Sequence, residues 1–399
     1  MRSPVTEKIR AAATAYPLHM PGHKRNPAFM PALSCAEDIT ELADFDDLHR
    51  PRGVLRESMD FAAGLYGARR SYYLVNSSTG GILAAIAAAC PRGGKVLLAR
   101  NCHISAWHAA ELLDLDIVLA EPAWLGDWGL YGGLGVDTLT DALDAHADIA
   151  LVVVVSPTYE GIVSDIPALA ALCHARGVPL LCDAAHGAHL GFCSDFPQSA
   201  VGGGADIVVQ SLHKTLPAPT QCAILHVCSE RVGVDAVEHA LRIFQTSSPS
   251  YLLVAAMDAC LRLMEREGAA LLAAHAERLE RFYRKAEGLA HLRVLPRSIL
   301  DAPDRDISKI WISTHGTDID GAQLCETLFA RGFALERQNP AGALAMTSFC
   351  DTDAALERFA HVLLAVDAGL LSRTAPPLPP PPAPLGGRYV YTCPPGIPM

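Results

Sequence analysis

The run Ile149–Val155, IALVVVV, carries no polar side chain. An unbroken, mostly β-branched apolar stretch of this kind cannot keep one face in water, so it predicts a central parallel strand covered on both faces. Covering a parallel sheet requires helices in its connections, and the surrounding sequence alternates accordingly. Strands are expected at Tyr72–Val75, Lys95–Ala99, Val178–Cys182 and Ile207–Gln210, with helices at Gly81–Ala89, Ala106–Leu113 and Ala168–Arg176. The fold class is therefore α/β, a mainly parallel sheet flanked by helices. A long helix around Gly268–Leu289 places Leu272, Ala276, Leu279, Phe282 and Ala286 on one stripe, with Glu277–Arg281 and Glu280–Arg284 as i,i+4 pairs. Short strands at Ile310–Ser313, Phe333–Glu336 and Ala343–Phe349, then a helix at Asp353–Asp367, predict a smaller α+β C-terminal domain. The expected division is an N-terminal segment 1–48, a large domain 49–290, a small domain 291–372 and a Pro-rich segment 373–399. Within the last, Ala375–Pro384 (APPLPPPPAP) reads as a polyproline spacer or exposed arm.

The 399 residues are 50% hydrophobic and 19% charged, a globular balance, with a formal net charge of −11. That charge argues against a nucleic-acid partner, which calls for a basic face, and suits a cationic small molecule. Twelve cysteines lie scattered without C-x-x-C spacing, which reads as reduced, mostly buried thiols in the cytoplasm. Residues 1–16 carry Glu7, Lys8 and Arg10 and no apolar core, so no secretory leader is read there. No apolar run approaches membrane-spanning length.

Chemistry concentrates at the expected strand ends. GVPLLCDAAHGAH places Asp183 and His186 after one strand, and ADIVVQSLHK places Ser211, His213 and Lys214 after the next, with Lys214 31 residues beyond Asp183. Open α/β sheets bind ligands at these ends. An amine and a carboxylate so placed are what pyridoxal 5'-phosphate needs: lysine condenses with its aldehyde, and aspartate keeps its pyridine nitrogen protonated. Asp-x-x-His alone is equally a satisfied loop turn; Ser-x-His-Lys downstream turns the balance. Between a strand and a helix, Ser77, Ser78, Thr79, Gly80 and Gly81 form either an anion site for a phosphate or an ordinary N-cap. A lone histidine after a strand, as His103 is, is more often a surface or capping residue, and spacing alone does not choose.

The blocks DAAHGAHLGF, ADIVVQSLHKTLPAPTQ and QTSSPSYLLVAAMDA resemble the cofactor-site blocks of the bacterial ornithine/lysine/arginine decarboxylases. So do PLHMPGHKRNP, DITELADFDDLHRP, YYLVNSSTGGILAAI, ARNCHISAWHA and PTYEGIVSDIP, over about Pro17 to Asp258. The resemblance implies a pyridoxal phosphate enzyme of the aspartate-aminotransferase fold (fold type I) that decarboxylates ornithine, lysine or arginine in polyamine metabolism. It implies Lys214, Asp183 and His103 as catalytic residues, with His103 stacked over the cofactor ring and His186 beside Asp183. Ser78, Thr79, Gly80 and Ser211 would hold the phosphate, and His213 the phosphate or the substrate carboxylate. A homodimer is implied, with Thr246, Ser247 and Ser248 either reaching the partner's phosphate or capping the helix from Ser250. This chain departs from the family's usual wording at Ala184, where relatives carry glutamate, and at Ile104. His19, His23 and Lys24 match a block whose role does not follow from the sequence, and the basic residues there read as solvated. Glu336 is a candidate for the distal substrate group. YTCPPGIPM resembles a block that continues in relatives, so a truncated arm and weakened substrate binding are expected. The alternatives are an aminotransferase or side-chain lyase of the same fold, or a catalytically impaired homologue.

Overall fold

A computed structural model describes residues 14–29, 38–42, 46–298, 304–381 and 389–392. Its centre is an eight-stranded sheet in the order 389–392, 116–120, 95–99, 149–155, 180–183, 207–211, 223–227, 70–74. Ala223–Val227 alone runs against its neighbours; every other pairing is parallel. The apolar run Ile149–Val155 sits between Lys95–Ala99 and Leu180–Asp183, with Leu151 through Val154 wholly buried. Helices Val54–Tyr66, Ser77–Ala89, Ile104–Leu112, Val136–Ala145 and Ile166–Ala175 fall among the strands in sequence. Sequence reading did not anticipate the strands Asp116–Ala120 and Ala223–Val227. The latter is buried throughout, like its parallel neighbours, so composition says nothing of its reversed direction.

A second, four-stranded antiparallel sheet joins Arg293–Val294, Lys309–Ser313, Gly342–Met346 and Arg337–Asn339. The N-terminal strand Tyr16–Leu18 pairs in parallel with Phe333–Leu335. The long helix spans Tyr251–Ala286, beginning well before Gly268, because Val254, Met257, Leu261 and Met264 extend its buried stripe upstream. Gly268 is a packing position: a Cβ there would stand 2.7 Å from the Met264 methyl. The expected pairs within that helix give way to pairs with its neighbours. Arg281 bonds Asp353 and Lys285 bonds Glu357, both on the helix Asp353–Asp367, while Glu280 takes Arg297. Phe282 stacks on Phe359 at 5.5 Å, so the two helices share an aromatic seam that brings those charges together.

The ten described cysteines are free thiols, seven of them buried. No helix among the described residues is long and apolar enough to cross a membrane. Of the residues read for a leader, 1–13 lie outside the described residues, as does the Pro-Pro-Gly-Ile-Pro block.

Inside the sheet, His226 has Ser71 Oγ 2.7 Å from Nδ1 and Gln210 Oε1 3.1 Å from Nε2. Burial pushes its pKa down from 6.5 to about 3. Below the ordinary histidine range the unfolded chain takes up a proton that the folded chain refuses. Stability therefore falls as pH drops from about 6.5 toward 3, by about 1.4 kcal/mol per pH unit from this group. We expect His226→Gln to remove about 2 kcal/mol of the stability lost between roughly pH 6.5 and 5. Urea unfolding midpoints at the two pH values, wild type against variant, check this.

Candidate active site

Asp183 ends the strand Leu180–Asp183, and the turn closed by Gly187 N–H to the Ala184 carbonyl carries His186 back beside it. Lys214 stands on a single helical turn, Leu212–Thr215, directly after the strand Ile207–Ser211. The two crossovers meet: Lys214 Nζ lies 3.1 Å from His186 Nε2. The Tyr159 ring packs at 4.1 Å against the His186 ring and 5.5 Å from Lys214 Nζ. These residues line a cleft of about 690 Å³ between the carboxyl ends of the large sheet and residues 337–341 of the smaller one.

Of the residues expected from the sequence, Ser78, His103, Asp183, His186 and Lys214 line this cleft together. Thr79 and Gly80 follow Ser78 in the first turn of the helix Ser77–Ala89. Ser211 is wholly buried beneath, and its hydroxyl has no hydrogen-bond partner. His213 does not line the cleft; its Nδ1 is bonded to the Cys222 carbonyl at 3.0 Å. Thr246, Ser247 and Ser248 are exposed. Ser250, at the start of the long helix, makes no side-chain cap, so the capping alternative for this stretch is not realised there.

Burial sets the electrostatics. It pushes the Asp183 carboxyl upward, against the pull of Lys214, the Ala185 N–H and His103. It pushes the Lys214 amine downward, opposed by Asp183 and Glu336. It holds His186 well below the usual histidine range, helped by the positive charge of Lys214. The cleft thus keeps a lysine closer to its neutral, nucleophilic form and a carboxylate that favours a cation at bonding distance.

The helix Ser77–Ala89 begins without a side-chain cap from Asn76, whose Oδ1 instead accepts from Thr246 N–H at 3.4 Å. Ser77 N–H donates to the Gln221 carbonyl at 3.0 Å, and Ser78, the next residue of this helix start, lines the cleft, a place where helix N-termini can receive an anion. His103 combines both readings. Its Nδ1 accepts from Ser105 N–H at 3.2 Å, capping the helix Ile104–Leu112, while the residue itself lines the cleft.

Four features escaped the sequence reading. The block PLHMPGHKRNP packs behind Lys214: Gly22 N–H donates to the His213 carbonyl at 2.7 Å. A Cβ on Gly22 would stand 2.8 Å from the Leu216 carbonyl oxygen and 2.9 Å from the Thr215 carbonyl carbon. Lys24 is buried rather than solvated and donates to the carbonyls of His19 and Met346 at 2.8 and 2.7 Å. Second, Glu336 accepts from Met20 N–H at 2.9 Å and does not line the cleft. Third, the Pro-rich segment is docked, though exposed on its outer side: Trp124 Nε1–H donates to the Leu378 carbonyl at 2.6 Å, and Leu378, Pro379 and Pro381 line the cleft. Fourth, Tyr159, Glu160 and Arg337 form one wall. Only the quoted block PTYEGIVSDIP carried a signal for it, because the partner Arg337 is remote in sequence. We expect Gly22→Ala to cost about 1–3 kcal/mol by overpacking and to slow capture of an aldehyde by Lys214. Thermal denaturation and borohydride trapping check the two effects.

The Orn/Lys/Arg decarboxylase major-domain model matches residues 11–316. The uncharacterized protein YaaO of Bacillus subtilis is 39% identical over 269 residues, covering 65% of this chain and 56% of YaaO. An arginine decarboxylase of Bacillus cereus is 30% identical over 315 residues, covering 76% of this chain and 68% of that protein. The crystal structure of a Francisella novicida lysine decarboxylase matches with a TM-score of 0.71 at 19% identity, over 81% of this chain and 52% of that one, a likeness in fold. This chain thus spans little more than half the length of YaaO and of the Francisella enzyme. Decarboxylases of this family and their structural neighbours depend on pyridoxal phosphate and share the fold-type-I architecture seen here. By its matched blocks, its sheet and the family model spanning residues 11–316, the chain belongs to the ornithine/lysine/arginine decarboxylase family.

Proposed function

We propose that this chain binds pyridoxal 5'-phosphate through Lys214 and removes the carboxylate of a basic amino acid, ornithine, lysine or arginine, as carbon dioxide, leaving the amine. The observation that carries this reading is the convergence of Lys214, Asp183, His186 and His103 in one cleft at the carboxyl ends of the sheet. The groups around it suit the cofactor. A buried Ser211 hydroxyl without a partner and a helix start lacking a side-chain cap match a phosphate, and a buried carboxylate with a single N–H contact, from Ala185 at 3.1 Å, matches a protonated ring nitrogen. When bound, the cofactor supplies an electron sink for the pair released from the bond to the carboxylate.

The chain's own residues do the rest. Asp183 holds a proton at the ring nitrogen, because its buried carboxylate is stable only beside a cation. His103, which lines the cleft, would cover the cofactor ring and limit water on that side. Lys214, whose amine lies 3.1 Å from His186 Nε2 in the cleft, would hold the cofactor aldehyde and would be the group to return a proton to the substrate's α carbon. Mass spectrometry after borohydride treatment tests the anchor. The expected label lies on the peptide bearing Lys214, and a label elsewhere overturns the assignment.

The same reading makes the enzyme a cytoplasmic homodimer. Free thiols agree with the compartment. Thr246 to Ser248 stand exposed next to the phosphate turn, joined to it through Asn76, where a partner's site would meet them.

A further inference from the structure

The cleft has two acidic lining residues, Asp183 on its floor and Glu160 on its wall. Glu160 stands in a tight turn that is fixed from both sides. Gly161 N–H donates to the Thr158 carbonyl at 3.0 Å, and Ile162 N–H to Thr158 Oγ1 at 3.2 Å. Gly161, at φ +90°, lies where a Cβ would stand 2.6 Å from the Asp306 carbonyl oxygen, so no side chain fits and the turn cannot shift outward. A carboxylate held this way is positioned before any ligand arrives.

Its present partner shows what it accepts. The Arg337 guanidinium lies 3.8 Å from Glu160 Oε1 and 4.9 Å from the centroid of the Tyr159 ring. The Arg337 side chain is 43% exposed, whereas the Glu160 side chain is 10% exposed. A half-exposed cation thus sits 3.8 Å from a buried carboxylate over an aromatic face, a combination that attracts planar or ammonium cations in general. Two further polar atoms in the cleft wall, Asn101 Oδ1 and Tyr131 OH, are buried without partners and could bond the N–H groups of such a cation. Burial pushes the Glu160 carboxyl upward and Arg337 only partly offsets this, so a cation entering closer than 3.8 Å is favoured.

We propose that Glu160 is the specificity-determining residue of this cleft, the carboxylate that receives the substrate's distal ammonium or guanidinium over the Tyr159 ring, in the place of Arg337. This rests on the reading of the cleft as a basic amino-acid site. Its test is calorimetric titration of the cofactor-loaded wild type, Glu160→Gln and Glu160→Asp with L-arginine, L-lysine, L-citrulline and L-norleucine, together with kcat and KM for carbon dioxide release. Wild type should bind the better of arginine and lysine at least about 30-fold more tightly than its neutral isostere. Glu160→Gln should lose about 10- to 100-fold toward the cationic amino acids, the worth of one charge-assisted bond. Its binding of norleucine and citrulline should stay within about twofold and its kcat within about threefold, and Glu160→Asp should regain part of the affinity. Cationic binding by Glu160→Gln within about twofold of wild type overturns the proposal. So does a wild type that binds arginine and citrulline alike, a result that stands even if the variant fails to fold. Charge-dependent binding without carbon dioxide release would support the role of Glu160 while overturning decarboxylation.

Discussion

Replacing Lys214 by alanine is expected to lower carbon dioxide release at least about 10⁴-fold and to abolish borohydride fixation of the cofactor. The size of the effect follows from one side chain holding two tasks, the covalent anchor and the proton at the α carbon. No other described lysine lines the cleft. Lys309 is buried in an ion pair with Asp306 at 3.1 Å, and Lys24 is bonded to two backbone carbonyls, so neither amine is free to substitute. The fold should survive, since Lys214 is held by one polar contact, with His186, and by the Tyr159 ring. Circular dichroism verifies this alongside the peptide map. A variant that is still labelled in the cleft would remove Lys214 from the mechanism.

The second large effect is expected at Asp183. Asp183→Asn keeps the shape and the contact with Ala185 N–H but cannot keep a ring nitrogen protonated. Transition-state stabilisation should fall by about 4 kcal/mol, or about 10³-fold in kcat. The residues proposed for the phosphate, Ser78, Thr79 and Ser211, are untouched, so cofactor affinity should change far less than kcat. Substrate KM should likewise hold, because the distal contact proposed at Glu160 lies on another wall. Steady-state kinetics with a cofactor titration separates these quantities. Near-full turnover in the amide variant would contradict the assignment.

The fold was legible where burial alone decides it. The apolar run Ile149–Val155 could only be an interior strand, and it is one. The helix Asp353–Asp367 was read to the residue, because Thr352 caps it through Ala355 N–H and its apolar stripe starts at once. Direction was not legible: Ala223–Val227 has the same composition parallel or antiparallel. The Asp183–Lys214 pair was legible because each stands at the carboxyl end of its strand, Asp183 as the last residue and Lys214 three residues beyond, and the two strands are parallel neighbours. The Glu160–Arg337 wall was not, since Glu160 stands in the turn after the strand Ile149–Val155 and Arg337 in the smaller sheet, a contact between parts remote in sequence. Gly22 was hidden for the same reason: a Pro-Gly turn reads as a turn wherever it lies, and its contact with residues 213–216 is tertiary.

The measurement that tests the central claim most directly is product analysis with carboxyl-labelled substrates. The chain, loaded with pyridoxal 5'-phosphate, is incubated separately with arginine, lysine and ornithine, and labelled carbon dioxide, amine and keto acid are counted. We expect one of the three to yield carbon dioxide and its amine in equal amounts, with no keto acid. Keto acid as the main product, or no carbon dioxide from any of the three, would contradict the assignment of this chain as a basic amino-acid decarboxylase.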